Sequence, residues 1–336
     1  MKEASYYEKG INGLKCTLCP HFCQIKEGKV GSCRVRKNIG GKLIAENYEQ
    51  LCSMRSDPIE KKPLYHFYPG KNILSVGSVG CNLHCSFCQN WEISQTGVES
   101  SFQLKKIPAK QIIETALQEK DNIGIAYTYN EPAIWYEYML DISKLAHERS
   151  LKNVMVTNGF INPEPLQELI KYIDAFSIDL KAFSNDFYKD LTKAKLNPVL
   201  DTIKQVKASG KHLEITNLVI TNRNDNKEEF KEMVDWICTE AGKDTVLHIS
   251  KYFPTYKMME VATPDKTLLE FYDIASAKLD YVYLGNMRSP KGQNTYCPKC
   301  ESLVIERTGY STNKRGISTK GLCQNCGNII VSEYTI

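Results

Sequence analysis

Three cysteines in one short segment are the first residues of this sequence that could carry out chemistry. Cys81, Cys85 and Cys88 lie in VGCNLHCSFCQN (79–90), with no fourth cysteine close behind them. A zinc or iron–sulfur site that only stabilises a fold normally has four protein ligands, because an open position admits water and exchange. The spacing therefore predicts a metal centre with one position open for chemistry.

An iron–sulfur cubane fits this open set best. A cubane has four irons, so three thiolates leave one iron free to bind the amine and carboxylate of a small molecule, and S-adenosylmethionine (SAM) offers both. One electron entering its S–C bond would release methionine and a 5′-deoxyadenosyl radical that abstracts hydrogen from a substrate. The alternative is a zinc knuckle that borrows Cys52 or His84, and the tight spacing beside a strand end disfavours it.

The other cysteines fall into two sets of four and two single residues. One set forms two CxxC pairs, which are typical of a zinc ribbon; its members are Cys297, Cys300, Cys323 and Cys326. The other set fits zinc or an auxiliary iron–sulfur cluster, since both accept four thiolates; its members are Cys16, Cys19, Cys23 and Cys33. We expect Cys52 and Cys238, which have no partner in sequence, to be buried thiols.

Short apolar runs alternate with amphipathic helical patterns along the chain. The run NILSVGSVG (72–80) ends just before Cys81, so the triplet is expected at the carboxyl end of a buried parallel strand. We predict an α/β protein with a partial (β/α)6 TIM-like barrel, whose chemistry lies in the loops after the strands; a doubly wound sheet is the alternative. The predicted division is a Cys-rich module (1–70), the barrel (71–290) and a zinc-ribbon tail (291–336).

Composition narrows the functional classes. The 336 residues carry 43 Lys and Arg against 39 Asp and Glu, and the net charge of +4 is too small for a dedicated nucleic-acid binder. No amino-terminal apolar run follows MKEASYYEKG, and no stretch reaches the roughly 18 apolar residues of a membrane span. We therefore expect a cytoplasmic protein without membrane contact, whose grouped cysteines bind metal rather than form disulfides.

The segment CNLHCSFC, with Phe87 as its aromatic residue, resembles the CxxxCxΦC signature of the radical SAM enzymes. This resemblance implies a [4Fe–4S] cluster and SAM as cofactors, an anaerobic setting, and an electron donor such as ferredoxin or flavodoxin. Asn130-Glu131-Pro132 is similar to the family's Gly-Gly-Glu-Pro element, with asparagine in place of a glycine.

The resemblance extends to the TNG and DLK stretches of the glycyl-radical-enzyme activases. It implies cofactor-binding roles for the following residues: Phe87, Asn130, Glu131, Thr157, Asn158, Asp179 and Lys181. Asp179 and Lys181 occupy alternate positions of one strand, so their side chains are expected on the same side. Glu131 and Asp179 have an alternative role as caps of the helices that follow.

Later strands add two expectations. His248 falls at the end of the sixth strand, where it would face the pocket and bind substrate or the adenine side of the cofactor. Where the activases have an arginine on the fifth strand, this chain has Thr216 or Asn217, which weakens a function as an activase.

The chain is identified over nearly its whole length as a member of the AmmeMemoRadiSam system radical SAM enzymes, which are related to pyruvate formate-lyase activating enzymes. The motifs include CTLCPHFC, DPIEKKPLYHFYPG, AYTYNEP, HISKYFPTYKM and NTYCPKC. The resemblance implies AMMECR-type and Memo-like partners. The flanking cysteine-rich modules favour a protein or peptide substrate; the alternatives are a radical SAM enzyme that modifies RNA and a non-catalytic metal-binding scaffold.

Overall fold

The amino-terminal segment folds into short antiparallel strands. A computed structural model describes residues 1–99 and 103–331. The strands of this segment are β1 (Lys2–Glu3), β2 (Tyr7–Gly10), β3 (Gly13–Cys16), β4 (Gln24–Ile25), β5 (Arg36–Ile39) and β6 (Lys42–Ala45). Within the described residues they form two sheets, with the orders β1-β6-β5 and β2-β3-β4.

A mainly parallel sheet forms the centre of the molecule. The next strands are β7 (Gln50–Leu51), β8 (Ser53–Pro58), β9 (Asn72–Gly77), β10 (Lys105–Lys106), β11 (Asn122–Tyr127), β12 (Lys152–Thr157), β13 (Ala175–Asp179), β14 (His212–Val219), β15 (Val246–Lys251) and β16 (Val282–Gly285). In the described part of the chain, eight of them form one sheet in the order β16-β15-β14-β13-β12-β11-β9-β8. Only β8 runs antiparallel to its neighbour in this sheet, and β7 pairs separately with β10.

Helices connect the parallel strands. They are α1 (Trp91–Ser94), α2 (Ala109–Gln118), α3 (Tyr136–Glu148), α4 (Pro163–Ile170), α5 (Asn185–Phe187), α6 (Leu196–Ala208), α7 (Lys227–Trp236) and α8 (Asp265–Ser276). Shorter turns of 3-10 or π-helix lie at Ile59–Lys61, Pro132–Trp135, Tyr188–Thr192 and Ile237–Ala241. Pro163 opens α4 as its pre-set φ predicts, and Asn226 caps α7 by accepting from two backbone N–H groups. α6 begins at Leu196, two residues before Pro198.

The strand order decides between the two predicted architectures. From β9 to β16 the spatial order follows the chain order, as in a barrel, whereas a doubly wound sheet reverses direction at a switch point. In the described residues β8 and β16 form the two edges of the sheet, and they do not pair with each other. The predicted α/β class with consecutive βα units is therefore confirmed, in an open sheet.

The carboxyl-terminal segment forms a small antiparallel sheet with its own core. Its strands are β17 (Thr295–Tyr296), β18 (Leu303–Thr308) and β19 (Ser311–Lys314). Its apolar cluster includes Cys297, Val304, Ile317 and Cys323. Arg307 attaches this segment to the central domain, because its guanidinium donates to the Tyr65 carbonyl at 2.8 Å.

A buried ion pair joins the amino-terminal segment to α3. Arg36 Nη2 lies 2.7 and 2.8 Å from the two carboxylate oxygens of Glu137, and the two side chains are 1% and 3% exposed. Ser5 strengthens the junction, because its N–H donates to Glu137 and its carbonyl accepts from Arg36. The amino-terminal strands are therefore held on the central domain by a charge pair that water does not reach.

The structure corrects one sequence expectation and leaves two others as predictions. Cys52 and Cys238, expected as buried thiols, are only partly buried, and the Cys52 thiol donates to the Ser78 carbonyl. The domain division stays a prediction, although β8 within the range 1–70 pairs with the central sheet. None of the described helices is both long and apolar enough to span a lipid bilayer, and the cytoplasmic location stays a prediction.

We predict that Glu137→Gln lowers the free energy of unfolding by about 3 kcal/mol, because Arg36 then keeps a buried charge without a counter-charge. Urea denaturation followed by circular dichroism measures the change. The matched control is Glu8→Gln, since Glu8 pairs with Lys15 at the surface, and its effect should stay below about 1 kcal/mol. Equal effects of the two substitutions would contradict the prediction.

Candidate active site

The carboxyl ends of the parallel strands surround a cleft of about 870 Å³. Parallel strands end at the same edge of a sheet, so residues that are far apart in sequence meet there. Every residue proposed above for the open cluster and SAM lines this cleft: Cys81, Cys85, Phe87, Cys88, Asn130, Glu131, Thr157, Asn158, Asp179, Lys181 and His248. The structure thus brings the whole set together, and the individual roles stay predictions.

Asn130 holds the loop that carries the cysteine triplet. Its Nδ2 donates to the Gly80 carbonyl at 2.8 Å, and its Oδ1 accepts from the Ser78 N–H at 3.1 Å. Gly80 has a φ of +88°, and a Cβ at this residue would lie 2.5 Å from the Cys33 carbonyl oxygen, so the turn requires glycine. The Asn130 amide therefore positions the backbone that leads into Cys81.

The three thiols of the triplet lie where a free thiolate is disfavoured. Burial raises the pKa of Cys81 and of Cys88, and it raises the pKa of Cys85 to about 12. Two N–H donors face the Cys81 sulfur, from Leu83 N at 3.3 Å and from Asn158 Nδ2 at 3.7 Å. Thiols lose their protons when metal binds, so this donor set fits a metal–thiolate centre.

Glu131 joins the ends of β11 and β12. Its carboxylate accepts from the Ala133 N–H at 2.9 Å, from Thr157 Oγ1 at 2.7 Å and from the Asn158 N–H at 2.8 Å. The first of these bonds is the capping that the sequence analysis gave as an alternative. Burial raises the pKa of Glu131 to about 7, although the three donors act in the opposite direction. All three hydrogen bonds of the Glu131 carboxylate are thus made to groups of the protein itself. A role of Glu131 toward the cofactor stays a prediction.

Asp179 and Lys181 form an ion pair at the end of β13, with Nζ and Oδ2 2.9 Å apart. Their alternate positions do place them on the same side, as predicted. Burial opposes the charge on Lys181, but the negative charge of Asp179 outweighs it and raises the pKa of the lysine. Lys181 Nζ also lies 5.9 Å from the ring centroid of Phe87. The Asp179 side chain is 38% exposed and accessible from the cleft.

Thr216 is the residue on β14 that faces the cleft. Its Oγ1 is buried and has no hydrogen-bond partner among the described residues. Asn217 points to the other face of the sheet, where its Nδ2 donates to the Leu180 carbonyl at 2.8 Å. Of the two candidates for the position of the activase arginine, Thr216 therefore offers an uncharged hydroxyl to the cleft.

A buried carboxylate that the sequence analysis missed holds His248. Glu214 is fully buried and accepts from the Nε2 atoms of His212 and His248, at 2.9 and 2.6 Å, and from the backbone N–H groups of Tyr65 and His66. Burial opposes its charge, but the histidine hydrogen bonds hold the pKa of Glu214 well below its usual range. The sequence signal that could have revealed Glu214 is the presence of a glutamate inside the apolar run HLEITNLVI.

Tyr129 adopts a backbone conformation that the sequence did not indicate. Its φ of +73° lies in the left-handed region, which is unfavourable for a bulky residue. Its hydroxyl donates to Asp57 at 2.6 Å, and Lys62 Nζ lies 5.0 Å from its ring centroid. Asp57 and Lys62 pair at 2.7 Å. These contacts stabilise the strained turn that precedes Asn130.

His66 joins the carboxyl-terminal segment to the central domain. Its Nδ1–H donates to the Ile330 carbonyl at 2.9 Å, and its Nε2 accepts from the Tyr283 hydroxyl at 2.6 Å. With Nδ1–H as the donor and Nε2 as the acceptor, the imidazole is neutral. Burial lowers the pKa of His66 to about 3, so the ring stays neutral in the folded protein at ordinary pH.

The carboxyl-terminal cysteines lie close together, and the amino-terminal four share one cavity. At the carboxyl terminus Cys297 and Cys326 lie 3.5 Å apart, Cys300 and Cys323 lie 3.6 Å apart, and all four sulfurs are within 4.8 Å of one another. Metal–sulfur bonds of about 2.3 Å around one tetrahedral ion need such a spacing, so this set could hold a single metal ion. The four amino-terminal cysteines line one enclosed cavity: Cys16, Cys19, Cys23 and Cys33.

Comparison with known proteins adds independent findings. The sequence model of the protein family described as the Radical SAM superfamily matches residues 75–237. The chain is 43% identical to an uncharacterized protein of Methanocaldococcus jannaschii, over 98% of this chain and 99% of that protein. It is 23% identical to the pyruvate formate-lyase-activating enzyme of Clostridium pasteurianum, over 56% of this chain and 82% of that enzyme. A radical SAM methyltransferase from Sphaerobacter thermophilus shares the fold with a TM-score of 0.52 at 14% identity, over 66% of this chain and 68% of that one.

We predict that His66 makes the folded protein less stable as the pH falls. Below about pH 6.5 the unfolded chain protonates this histidine while the folded protein does not, so stability falls by about 1.4 kcal/mol per pH unit from this group alone. Urea denaturation at about pH 7, 6 and 5 should show a shallower pH dependence for His66→Gln than for the wild type. The control is His147→Gln, at an exposed histidine, and identical slopes for all three proteins would refute the prediction.

Proposed function

Since the chain belongs to the radical SAM superfamily, we propose that it cleaves SAM reductively at a [4Fe–4S] cluster held by Cys81, Cys85 and Cys88, and abstracts hydrogen from a protein or peptide. The observation that carries this proposal is the position of the three thiols in the cleft beside the other strand-end residues. The radical SAM enzyme class is established by the family, whereas the substrate class and the residue roles are the proposal.

The donor set of the cleft fits these cofactors. Three cysteine thiols, of which Cys85 is buried and the other two are partly buried, offer metal ligands; Thr216 Oγ1 is a polar atom without a partner among the described residues, and the Asp179 carboxylate is accessible. When bound, the cluster and SAM supply the one-electron chemistry that produces a 5′-deoxyadenosyl radical. The residues of the chain bind and orient the cofactor and exclude water from the reacting atoms.

Each strand end has a definite task in this proposal. The Asp179–Lys181 pair offers a carboxylate to the ribose hydroxyls or amine of SAM and an ammonium to its carboxylate. Glu131 fixes Thr157 and Asn158 by hydrogen bonds, so that β12 ends in a defined position beside Cys81. The buried Glu214 orients the imidazole of His248, which lines the same cleft.

A protein or peptide substrate is supported by two observations. The relatives include enzymes named as activators of pyruvate formate-lyase and of 4-hydroxyphenylacetate decarboxylase, which are themselves proteins. In addition, the cleft continues past the cysteine triplet to Tyr65, Arg288 and Tyr310, which leaves room for a chain segment. AMMECR-type and Memo-like proteins are the candidate partners, a ferredoxin or flavodoxin is the candidate electron donor, and the carboxyl-terminal cysteines are proposed to bind zinc. Membership of the AmmeMemoRadiSam group stays a prediction.

We predict that the variant with Cys81, Cys85 and Cys88 all changed to Ala forms no 5′-deoxyadenosine, because no thiolates remain to hold the cluster. The assay is liquid chromatography of the anaerobically reconstituted protein after incubation with SAM and dithionite. Cys238→Ser, at a single cysteine of α7's π-helical extension, is the matched control and should retain the product. Formation of 5′-deoxyadenosine by the triple variant would refute the assignment.

The substrate class is tested by isotope transfer. A perdeuterated Memo-like or AMMECR-type protein, incubated with the enzyme, SAM and a reductant, should transfer deuterium to 5′-deoxyadenosine, because the radical takes its hydrogen from the substrate. Mass spectrometry detects the label. Label that comes from deuterated RNA and not from either protein would overturn the proposed substrate class while leaving the SAM cleavage intact.

A further inference from the structure

We propose that a surface beside the cysteine triplet is the docking site of a flavodoxin, a small acidic protein that delivers one electron through the exposed edge of its flavin. The proposal rests on the proposed function only for the need to reduce a cluster at the triplet. We name this region the carrier surface, and its residues are Arg34, Trp91, Phe253, Lys257, Met259 and Val261.

The centre of the carrier surface is apolar and exposed. Phe253, Met259 and Val261 are 46%, 78% and 65% exposed, and all three fall within one short segment of the chain. No other segment of that length in the described part of the chain carries three exposed large apolar side chains. Trp91 is 40% exposed, and its ring stacks on that of Tyr256 in the same segment, with the centroids 5.0 Å apart. Exposed apolar groups at this density mark a site of protein contact.

Hydrogen bonds hold the segment that carries these side chains. Tyr252 is buried, its backbone N–H donates to Thr263 Oγ1 at 3.0 Å, and its hydroxyl donates to the Met258 carbonyl at 2.7 Å. Thr255 and Met258 pair in an antiparallel bridge. The apolar side chains are therefore presented on a preformed surface, which loses little conformational entropy when a partner binds.

The carrier surface is attached directly to the loop of the triplet. The Lys257 N–H donates to the Ser86 carbonyl at 3.0 Å, and Ser86 follows Cys85 in the chain. Trp91 begins α1, shortly after Cys88. A redox group docked on this surface therefore lies close to the triplet, and electron transfer is fastest over short distances. Among the described residues that line the cleft, none belongs to the carrier surface, so a docked carrier does not compete with SAM.

Two cations belong to the carrier surface. Burial lowers the pKa of His84, and the positive charges of Arg34 and Lys257 lower it further, so both cations lie close to the triplet loop. Arg34 Nη2 bonds to His84 Nδ1 at 3.1 Å, and Lys257 Nζ lies 5.1 Å from the ring centroid of Tyr256. Neither cation has a carboxylate partner among the described residues. Their charge is therefore available to a partner protein.

The acidic residues of this region do not cancel the positive charge. Glu260, in the same segment, pairs with Arg223, with Oε1 and Nε 2.9 Å apart. Glu92 in α1 can offset one of the two cations at most. A second copy of this chain would therefore bring like charges together, whereas an acidic carrier brings opposite charges together.

An apolar centre combined with positive charge fits a flavodoxin. The hydrocarbon edge of its flavin is exposed and acidic side chains surround it, so apolar groups meet apolar groups and opposite charges meet. The anionic reduced flavin is oxidised by one electron, and the cluster at the triplet takes up that electron. No bond is formed or broken, and no proton is transferred.

The first test compares two reductants of the anaerobically reconstituted protein. With reduced flavodoxin, the double variant Met259→Glu, Val261→Glu should form 5′-deoxyadenosine about tenfold more slowly than the wild type, because apolar contact is lost and negative charge faces the acidic carrier. With titanium(III) citrate, which needs no docking surface, the two rates should be equal. Liquid chromatography measures the product. Equal rates with flavodoxin would overturn the proposal.

Leu117→Glu is the matched control for these substitutions. Leu117 is 47% exposed on α2, which leads into the amino end of β11 and so lies at the opposite edge of the sheet from the triplet. Its rate should equal that of the wild type with both reductants. A loss of rate in the double variant that occurs with reduced ferredoxin and not with flavodoxin would overturn the carrier that we assign.

The second test measures binding and does not depend on SAM cleavage. Isothermal titration calorimetry of the wild type with oxidised flavodoxin should give a dissociation constant that rises with salt, because exposed charges are screened. Lys257→Glu and the double variant should bind about tenfold more weakly, and Leu117→Glu should bind as the wild type does. Absence of binding by the wild type, or equal affinity of all four proteins, would overturn the proposal. A wild type that binds flavodoxin and forms no 5′-deoxyadenosine with either reductant would instead contradict the proposed function alone.

Discussion

The arrangement of this protein depends on how the loop after β9 is held. That loop must leave a buried strand, turn sharply at Gly80 and present three thiols to a cleft, and it has little regular structure of its own. Asn130 fixes it from the neighbouring strand by two amide hydrogen bonds, and the amino-terminal cysteine loop contacts it from outside. The site is thus stabilised by contacts between strand ends and not by the loop sequence alone.

A second layer of polar contacts lies beneath the cleft. Glu214 carries its charge in the interior because four donors from three segments converge on it. Removing any one of these donors would leave a buried charge less well compensated. The same contacts connect strand β14, strand β15 and the segment around Tyr65. The Glu214 carboxylate therefore bonds both to His248 in the cleft and to the segment that contacts the carboxyl-terminal strands.

Much of the fold and part of the site could be predicted from the sequence. Apolar runs that end in small residues indicated the strands, and the spacing of Cys81, Cys85 and Cys88 indicated an open metal centre, because both signals are local. The alternation of side chains along a strand was enough to place Asp179 and Lys181 on the same side. The roles of Asn130 and Glu131 in holding neighbouring segments were harder to foresee, since their partners lie on other strands. Glu214 and the left-handed Tyr129 were missed for the same reason.

The bond between His66 and the Ile330 carbonyl joins residues that are 264 positions apart. During synthesis the His66 imidazole therefore stays hydrated until Ile330 has left the ribosome. A chain that is cut before Ile330 would hence leave the His66 imidazole without this partner and the surrounding corner of the molecule more accessible to proteases.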